Sequence, residues 1–273
     1  MMFSGAKLQI GTRVACGVEY HGKSYSGWQL QTSQEGLTIQ GLVEDAISFV
    51  ADKKVRVHCA GRTDAGVHSL GQVFHFDDPV GRSLKAWVYG VNGQLPKNIR
   101  ILWAQVVPNH FHSRFSATSR IYRYLVFNHI IHPAIMSGLA AWHRRPLNEM
   151  LMQKEAQCLI GEHDFSTFRA ASCQSSTPMR NIISLNISRR GNLVLMDIEA
   201  NAFLHHMVRN IAGCILAIGD GREKTGWLKS ILHEKDRSKA AETACPSGLY
   251  LMSISYPNNF SIPKIYGNFP LCI

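Results

Sequence analysis

Apolar and polar residues alternate from Thr12 to Tyr20, a pattern that predicts a β-strand. From Thr38 onward, apolar residues recur at every third or fourth position as far as Val50, which predicts an amphipathic helix with Thr38 as its N-cap. The same region is predicted to contain strands at 55–59, 72–76 and 99–106, a loop at 61–71, and a helix that Ser83 begins and Asn92-Gly93 ends. The order β-α-β-β-α-β is the split β-α-β, or ferredoxin-like, arrangement.

The remainder of the chain repeats this order of elements without repeating the sequence. Strands are predicted at 120–127, 181–188, 192–200 and 249–255, and helices at 147–160, 204–218 and 225–232. The prediction is therefore an α+β fold of two tandem ferredoxin-like halves with antiparallel sheets, joined near residues 108–119. We expect an N-terminal half at 1–110, a C-terminal half at 111–256 and a surface tail at 257–273.

The charge of the chain indicates what kind of partner it binds. The chain has 273 residues and a formal net charge of +10, yet only 18% of its residues are charged. No acidic residue occurs between Asp78 and Glu149, and the stretch 79–148 holds nine Lys or Arg and five His. Because a concentrated positive field attracts phosphate-bearing molecules, this stretch predicts a polyanionic partner.

Composition excludes several classes of protein. An apolar share of 45% is too high for a disordered chain, and no apolar run approaches the roughly 18 residues of a membrane helix. Residues 1–11 are too poor in apolar side chains for a secretory signal. Seven Cys without a C-x-x-C pair favour a reducing compartment, so we expect a cytoplasmic protein with no membrane partner.

Candidate chemistry begins with the segment between the second and third predicted strands, Gly61-Arg62-Thr63-Asp64-Ala65-Gly66-Val67-His68. Its two glycines permit a sharply turned loop that presents Asp64 at the end of a sheet. The neighbouring Arg62 favours the ionised carboxylate, which suits a nucleophile or a base. An ordinary Asx-turn with a surface ion pair explains the same residues, and on their own they favour that interpretation.

Two further segments combine cations with apolar or aromatic residues. Alternation places Arg120, Tyr122 and Tyr124 on one face of a strand, which suits phosphate contacts and base stacking, although a half-buried sheet face fits equally well. Arg209 lies on a mostly apolar helix, where a guanidinium either extends to water or pairs with a carboxylate such as Asp64.

Metal and nucleotide sites find no support in the sequence. His58, Cys59, His68 and His75 match no zinc spacing, and His205-His206 point to different faces of a helix. Neither a phosphate-binding loop nor a dinucleotide fingerprint is present. We therefore expect neither a metal nor a cofactor.

The octapeptide at 61–68 resembles the signature of the tRNA pseudouridine synthase A family, and ordered segments from about Arg13 to Tyr256 extend the resemblance. These segments are Gly27-Trp28-Gln29, Thr38-Ile39-Gln40-Gly41, Gly71-Gln72-Val73, His75-Phe76, Leu95-Pro96, Phe111-His112-Ser113-Arg114-Phe115, Arg120-x-Tyr122-Arg123-Tyr124, Gly161-x-His163-Asp164-Phe165, Phe203-Leu204, Met207-Val208-Arg209-Asn210, Asp236-Arg237 and Gly248-Leu249. The chain departs from the family at His21, where an acidic residue is usual, and at Ser69, where a small apolar residue is usual.

The resemblance implies an isomerase that converts uridine to pseudouridine at positions 38, 39 and 40 of the tRNA anticodon stem-loop. It implies that Asp64 is the catalytic nucleophile or base, that Tyr122 stacks on the target uracil, and that Arg209 pairs with Asp64 in a cleft between the halves. It further implies that Arg62 helps to extrude the target base or holds the vacated phosphate. No metal or cofactor is implied, and the enzyme would be a homodimer.

Two other classes of function stay open from the residues alone. The order β-α-β-β-α-β is also that of an RNA-recognition module without catalytic activity, although the strand with Phe74 and Phe76 lacks the usual aromatic motif. A hydrolase of nucleoside N-glycosidic bonds is the second alternative, and it would need another acidic residue near Asp64.

Overall fold

The computed structural model describes residues 4–30 and 37–263, so positions 264–273 of the predicted tail lie outside the described residues. The strands are β1 (Arg13–Tyr20), β2 (His58–Cys59), β3 (His68–Asp77), β4 (Ile99–Val106), β5 (Ser119–Asn128), β6 (Ala141–His143), β7 (Gly161–Asp164), β8 (Met179–Arg190), β9 (Leu193–Ala200) and β10 (Leu249–Ser255). The α-helices are α1 (Ile39–Ala51), α2 (Val91–Gln94), α3 (Glu149–Ala156), α4 (Met207–Gly219) and α5 (Trp227–Glu234).

The chain folds into two compact units. The first contains the described residues up to Thr118 together with the segment that begins at Leu251, and the second is Ser119–Tyr250. The strand order is β4-β1-β3-β10 in the first unit, where β2 pairs with β3, and β5-β9-β8-β7 in the second, where β6 pairs with β5. The assigned pairs are antiparallel except for β5 with β6, which confirms the predicted combination of helices with mostly antiparallel strands.

Helix α1 shows how the sequence pattern forms the first unit. The Thr38 hydroxyl accepts a hydrogen bond from the Gly41 N–H at 3.2 Å, so the predicted N-cap is confirmed. The helix ends at Asp52, which adopts the left-handed conformation. Its buried side packs into a core formed with β1, β3 and β4, whose largest members are aromatic: Trp28, Phe74, Phe76 and Trp87.

Three predicted boundaries of the first unit are wrong, two of them because side chains bind backbone groups. Strand β2 is two residues long because the N–H groups of Val55 and Val57 donate to side chains of α1. Strand β3 begins at His68, so the loop before it is shorter than predicted. Instead of ending the helix, Asn92 binds the backbone of Ile101 in β4 with its amide, and a π-helical turn over Ala86–Gly90 precedes α2.

The second unit is built around α4. Eleven of its thirteen residues are buried, which fits an almost wholly apolar sequence. The predicted hairpin is present, but β8 extends to Arg190 and the turn at Gly191-Asn192 is tighter than predicted. Gly191 has a φ of 58°, the left-handed value that such a turn requires.

Candidate active site

Asp64 lies in the segment between β2 and β3, hereafter the Asp64 loop (Gly61–His68). Its side chain is half-buried, and its carbonyl accepts from the Val67 N–H at 3.2 Å, which closes a turn. Within this turn Gly66 has a φ of +79°, a value that residues with a Cβ avoid. The predicted sharp turn at the end of a sheet is therefore present in the first unit.

Buried polar side chains fix the Asp64 loop in place. The Gln72 side chain on β3 accepts from the Gly61 N–H and donates to the Gly61 carbonyl, as a neighbouring strand would. The Thr63 hydroxyl is 2.8 Å from the Tyr20 hydroxyl, and His68 Nδ1 accepts from the Gly22 N–H at 3.1 Å. Because an unsatisfied buried polar group is unfavourable, each of these bonds restricts where the loop can lie.

The segment before α1 also packs on the Asp64 loop. The Trp28 N–H donates to the Thr63 carbonyl at 3.0 Å. Gly27 has a φ of +93°, and a Cβ at this position would lie 2.6 Å from the Thr63 carbonyl oxygen and 3.0 Å from the Asp64 carbonyl carbon. Sequence reasoning missed this close approach and the role of Gln72, although both residues belong to segments that carry the family resemblance.

Arg62 is exposed and lies near the thiol of Cys59 on β2. Burial raises the pKa of Cys59 to about 12, and the Arg62 guanidinium opposes that shift. The thiol is therefore protonated at neutral pH and is not a nucleophile. Of the Cys59 and Asp64 side chains, the Asp64 carboxylate is therefore the candidate nucleophile or base.

Tyr122 is on β5, opposite Ile198 of β9, and only 8% of its surface is exposed. Its ring meets Phe203 edge-on at 5.1 Å between centroids. On the same side of the strand, the Tyr124 hydroxyl donates to the Cys245 carbonyl at 2.9 Å, and burial raises the pKa of that tyrosine. Arg120 donates to the Asn201 carbonyl at 2.7 Å. Arg120 and Tyr124 therefore fit the interpretation of this segment as a half-buried sheet face.

Arg209 is on α4, where its side chain is half-buried and its Nε donates to the Ala244 carbonyl at 2.9 Å. A network that sequence reasoning missed holds the segment that supplies this carbonyl. The buried Asn210 accepts from the Thr243 hydroxyl at 2.7 Å and from Arg237 at 3.2 Å. Both Asn210 and Arg237 occur in the segments quoted for the family resemblance. The pairing of Arg209 with Asp64 stays a prediction.

Comparison with known proteins identifies the family of this chain. The model of the family described as "tRNA pseudouridine synthase" matches residues 17–116 and 156–257. The chain belongs to this family. The match includes Arg62, Asp64 and Arg209, whereas Tyr122 lies between the two matched segments. The predicted family is confirmed, and with it the predicted enzyme class, an isomerase that acts on uridine in tRNA.

Curated relatives named tRNA pseudouridine synthase A agree over most of the chain. The protein of Legionella pneumophila (strain Lens) is 52% identical over 250 residues, which cover 92% of this chain and 95% of the relative. Those of Histophilus somni (strain 129Pt) and Coxiella burnetii (strain Dugway 5J108-111) are 50% and 51% identical, and they cover 92% and 93% of this chain and 93% and 96% of their own lengths.

A solved structure titled "Crystal structure of the archaeal box H/ACA sRNP Nop10-Cbf5 complex" superposes with a TM-score of 0.35 at 10% identity, over 85% of this chain and 59% of that chain. This likeness is too weak to carry an argument.

The acid-free stretch divides between the two units, and its nine cations have different surroundings. Arg123 forms a two-point ion pair with Asp197 at 2.7 and 2.8 Å, and Arg100 donates to three carbonyls. Six cations are exposed: Arg82, Lys85, Lys97, Arg114, Arg144 and Arg145.

Among the described residues, no helix combines the length and apolar character needed to span a membrane.

Proposed function

We propose that this chain converts uridine to pseudouridine at positions 38, 39 and 40 of the tRNA anticodon stem-loop, with Asp64 as the catalytic nucleophile or base. The observation that carries the proposal is the family match, which includes the Asp64 loop and Arg209. The fixed geometry of the Asp64 loop supports it, because a catalytic carboxylate must be held in position before the substrate arrives.

The reaction is an isomerisation with a simple balance. The bond between uracil N1 and the ribose C1′ breaks, the base turns, and a bond between C5 and C1′ forms. N1 gains a proton and C5 loses one, so the reaction needs no oxidant, reductant or hydrolytic water. Three steps are open to the Asp64 carboxylate: attack on C1′, attack on uracil C6, or removal of the 2′ proton. Each requires a single ionised carboxylate.

The other residues have proposed roles in binding. Tyr122 presents a ring that its contact with Phe203 orients, which suits stacking on the extruded uracil and offsets part of the few kcal/mol needed to unstack it. Arg62 is exposed beside Asp64 and suits the extrusion of the base or a contact with the vacated phosphate. Arg209 is proposed as the partner of the Asp64 carboxylate.

Several finer features stay predictions. These are the description as two tandem ferredoxin-like halves, the functional division into 1–110, 111–256 and 257–273, the homodimer, the cytoplasmic location and the lack of a metal or cofactor. The separation of the described residues into two α+β units supports the first of them.

Replacement of Asp64 by Asn tests the proposal. We expect the D64N variant to form pseudouridine about 100-fold to 10,000-fold more slowly than wild type, because the amide is neither a nucleophile nor a base. The dissociation constant for tRNA should stay within about twofold of wild type, since the side chain keeps its size. Asp45→Asn is a matched control, because Asp45 is an exposed carboxylate on α1 of the same unit.

Transfer RNA labelled with tritium at uridine C5 distinguishes the alternatives. The isomerase releases tritium to water and leaves no free uracil, and D64N should release tritium about 100-fold to 10,000-fold more slowly. Free uracil would indicate a nucleoside hydrolase. Binding of tRNA without tritium release by the wild-type protein would indicate an RNA-binding module, and an active D64N variant would refute the role of Asp64.

A further inference from the structure

A short turn of the first unit presents an aromatic ring to water. Phe115 is 77% exposed, and the Arg114 guanidinium lies over its ring at 5.6 Å from the centroid. The His112 ring packs against the Phe115 ring, with 4.4 Å between the two centroids. These three residues, hereafter the Phe115 platform, form a surface of planar groups in contact, with the His112 and Phe115 rings inclined at 35° to each other.

The platform is held rigidly although Phe115 contributes little to the core. His112 Nδ1 accepts from the N–H groups of Arg114 and Phe115 at 3.1 and 3.4 Å, and the Ser116 N–H donates to the His112 carbonyl at 2.9 Å. The Tyr256 hydroxyl donates to the Ser113 carbonyl at 2.7 Å. Packing of the first unit therefore explains the turn but not the exposed ring, whose unburied surface is available to a ligand.

The charges around the platform favour an anionic partner. Burial lowers the pKa of His112, and the neighbouring His58, Arg13 and Arg114 lower it further, so the groups facing this imidazole are basic. Asp77 is near the same cluster, but Arg13 holds its carboxylate through contacts of 2.7 and 3.0 Å. A phosphate-bearing molecule would place negative charge beside these basic groups.

The platform lies near the Asp64 loop. The Ser113 hydroxyl donates to the carbonyl of His58, which is four residues before Arg62 in the chain. The guanidiniums of Arg62 and Arg114 both act on the thiol of Cys59, so both are near the same side chain. The platform and the start of the Asp64 loop therefore both lie near β2.

We propose that the Phe115 platform is a stacking subsite for an unpaired tRNA base that flanks the target uridine. An unpaired base needs a planar apolar surface and its phosphate needs a cation, and the platform offers both. A protein partner fits less well, because a specific protein interface needs roughly 1,000 Å² of surface with an apolar centre, and Phe115 lies between Arg114 and Ser116. This inference rests on the proposed function, since it takes tRNA as the ligand.

The dissociation constant for tRNA tests the subsite. We expect Phe115→Leu to weaken binding about fivefold to 150-fold, the range that loss of one stacked base produces, and Phe115→Tyr to restore it. The dependence of binding on salt should keep its slope in both variants, because neither changes a phosphate contact. Phe49→Leu is the matched control, since Phe49 on α1 is 69% exposed and should leave binding unchanged.

Wild-type binding in Phe115→Leu, with its melting temperature unchanged, would overturn the proposal, as would equal weakening in Phe115→Tyr. A photoreactive benzoylphenylalanine at position 115 identifies the occupant. A crosslink to tRNA supports the subsite, and a crosslink only to a second copy of the chain contradicts it. Failure here leaves the proposed function intact if wild-type protein still forms pseudouridine and D64N does not.

Discussion

The Asp64 loop and strand β5 carry proposed site residues, and they are held by different means. In β5, eight consecutive residues from Arg120 to Phe127 pair with β9 through a regular ladder. The Asp64 loop has no such ladder over most of its length and depends on a few side chains, among them Gln72 and Tyr20, and on the close approach of Gly27. The position of Tyr122 is thus held by a continuous ladder of strand pairing, whereas that of Asp64 depends on individual groups.

The largest effect should follow from Gly27→Ala. The added methyl group would combine an unfavourable φ of +93° with overlap on the Thr63 carbonyl, which together should lower the free energy of unfolding by about 2–5 kcal/mol. Because the overlap displaces the Asp64 loop, pseudouridine formation should fall at least about 100-fold. Urea unfolding and the tritium-release rate measure the two effects.

Gly191→Ala in the β8–β9 turn is the control for this variant. Gly191 also has a positive φ, but no atom lies within 4 Å of its added Cβ. We expect a loss of about 1–2 kcal/mol from backbone strain alone, with activity unchanged. Similar losses of activity in the two glycine variants would contradict a special role for the contact of Gly27 with the Asp64 loop.

A smaller effect is expected from Gln72→Met, which keeps the volume of the side chain but removes both hydrogen bonds to Gly61. The fully buried position should lose about 2–3 kcal/mol of stability. Gln72 is a positioning residue, so kcat should fall at least about tenfold while KM changes little. Amide hydrogen exchange at Gly61 should accelerate in the same variant.

Gln153→Met provides the matched change in the second unit. The Gln153 side chain accepts from the Ile187 N–H of β8, so its loss should cost about 1 kcal/mol and leave kcat unchanged. If kcat stays at the wild-type value in Gln72→Met as well, the Asp64 loop does not depend on this amide.

The smallest effect concerns the ion pair on the outer side of β5. Arg123 and Asp197 are partly exposed, with 23% and 35% of their side-chain surfaces accessible, so solvent weakens their attraction. A double-mutant cycle with Arg123→Ala and Asp197→Ala should give a coupling energy of about 0.5–1 kcal/mol, with kcat unchanged. A coupling energy above about 2 kcal/mol would show that β5 also depends on individual side chains.

The same contrast explains what could be predicted from the sequence. Alternation and helical spacing predicted β4 and β10 residue by residue, and they placed Tyr122 on the same side of β5 as Tyr124. The turn at Asp64 followed from its glycines. What holds that turn could not be predicted, because Gln72 and Gly27 act through contacts distant in sequence. Strand β2 was predicted too long for a related reason, since side chains of α1 satisfy its backbone.

The division of the nine cations into exposed and less exposed groups has a consequence for the salt dependence of RNA binding. RNA binding releases the counterions condensed along the phosphates, and each neutralised phosphate adds about 0.7–0.9 to the slope of log affinity against log salt. Arg120 is buried and Arg100 and Arg123 are partly buried, and each of the three donates to groups of the protein. The six exposed cations therefore limit the contribution of this stretch to a slope of about 4 to 5, against about 6 to 8 for all nine. The excess positive charge thus serves partly to hold the fold, and affinity for tRNA should withstand physiological salt better than a net charge of +10 suggests.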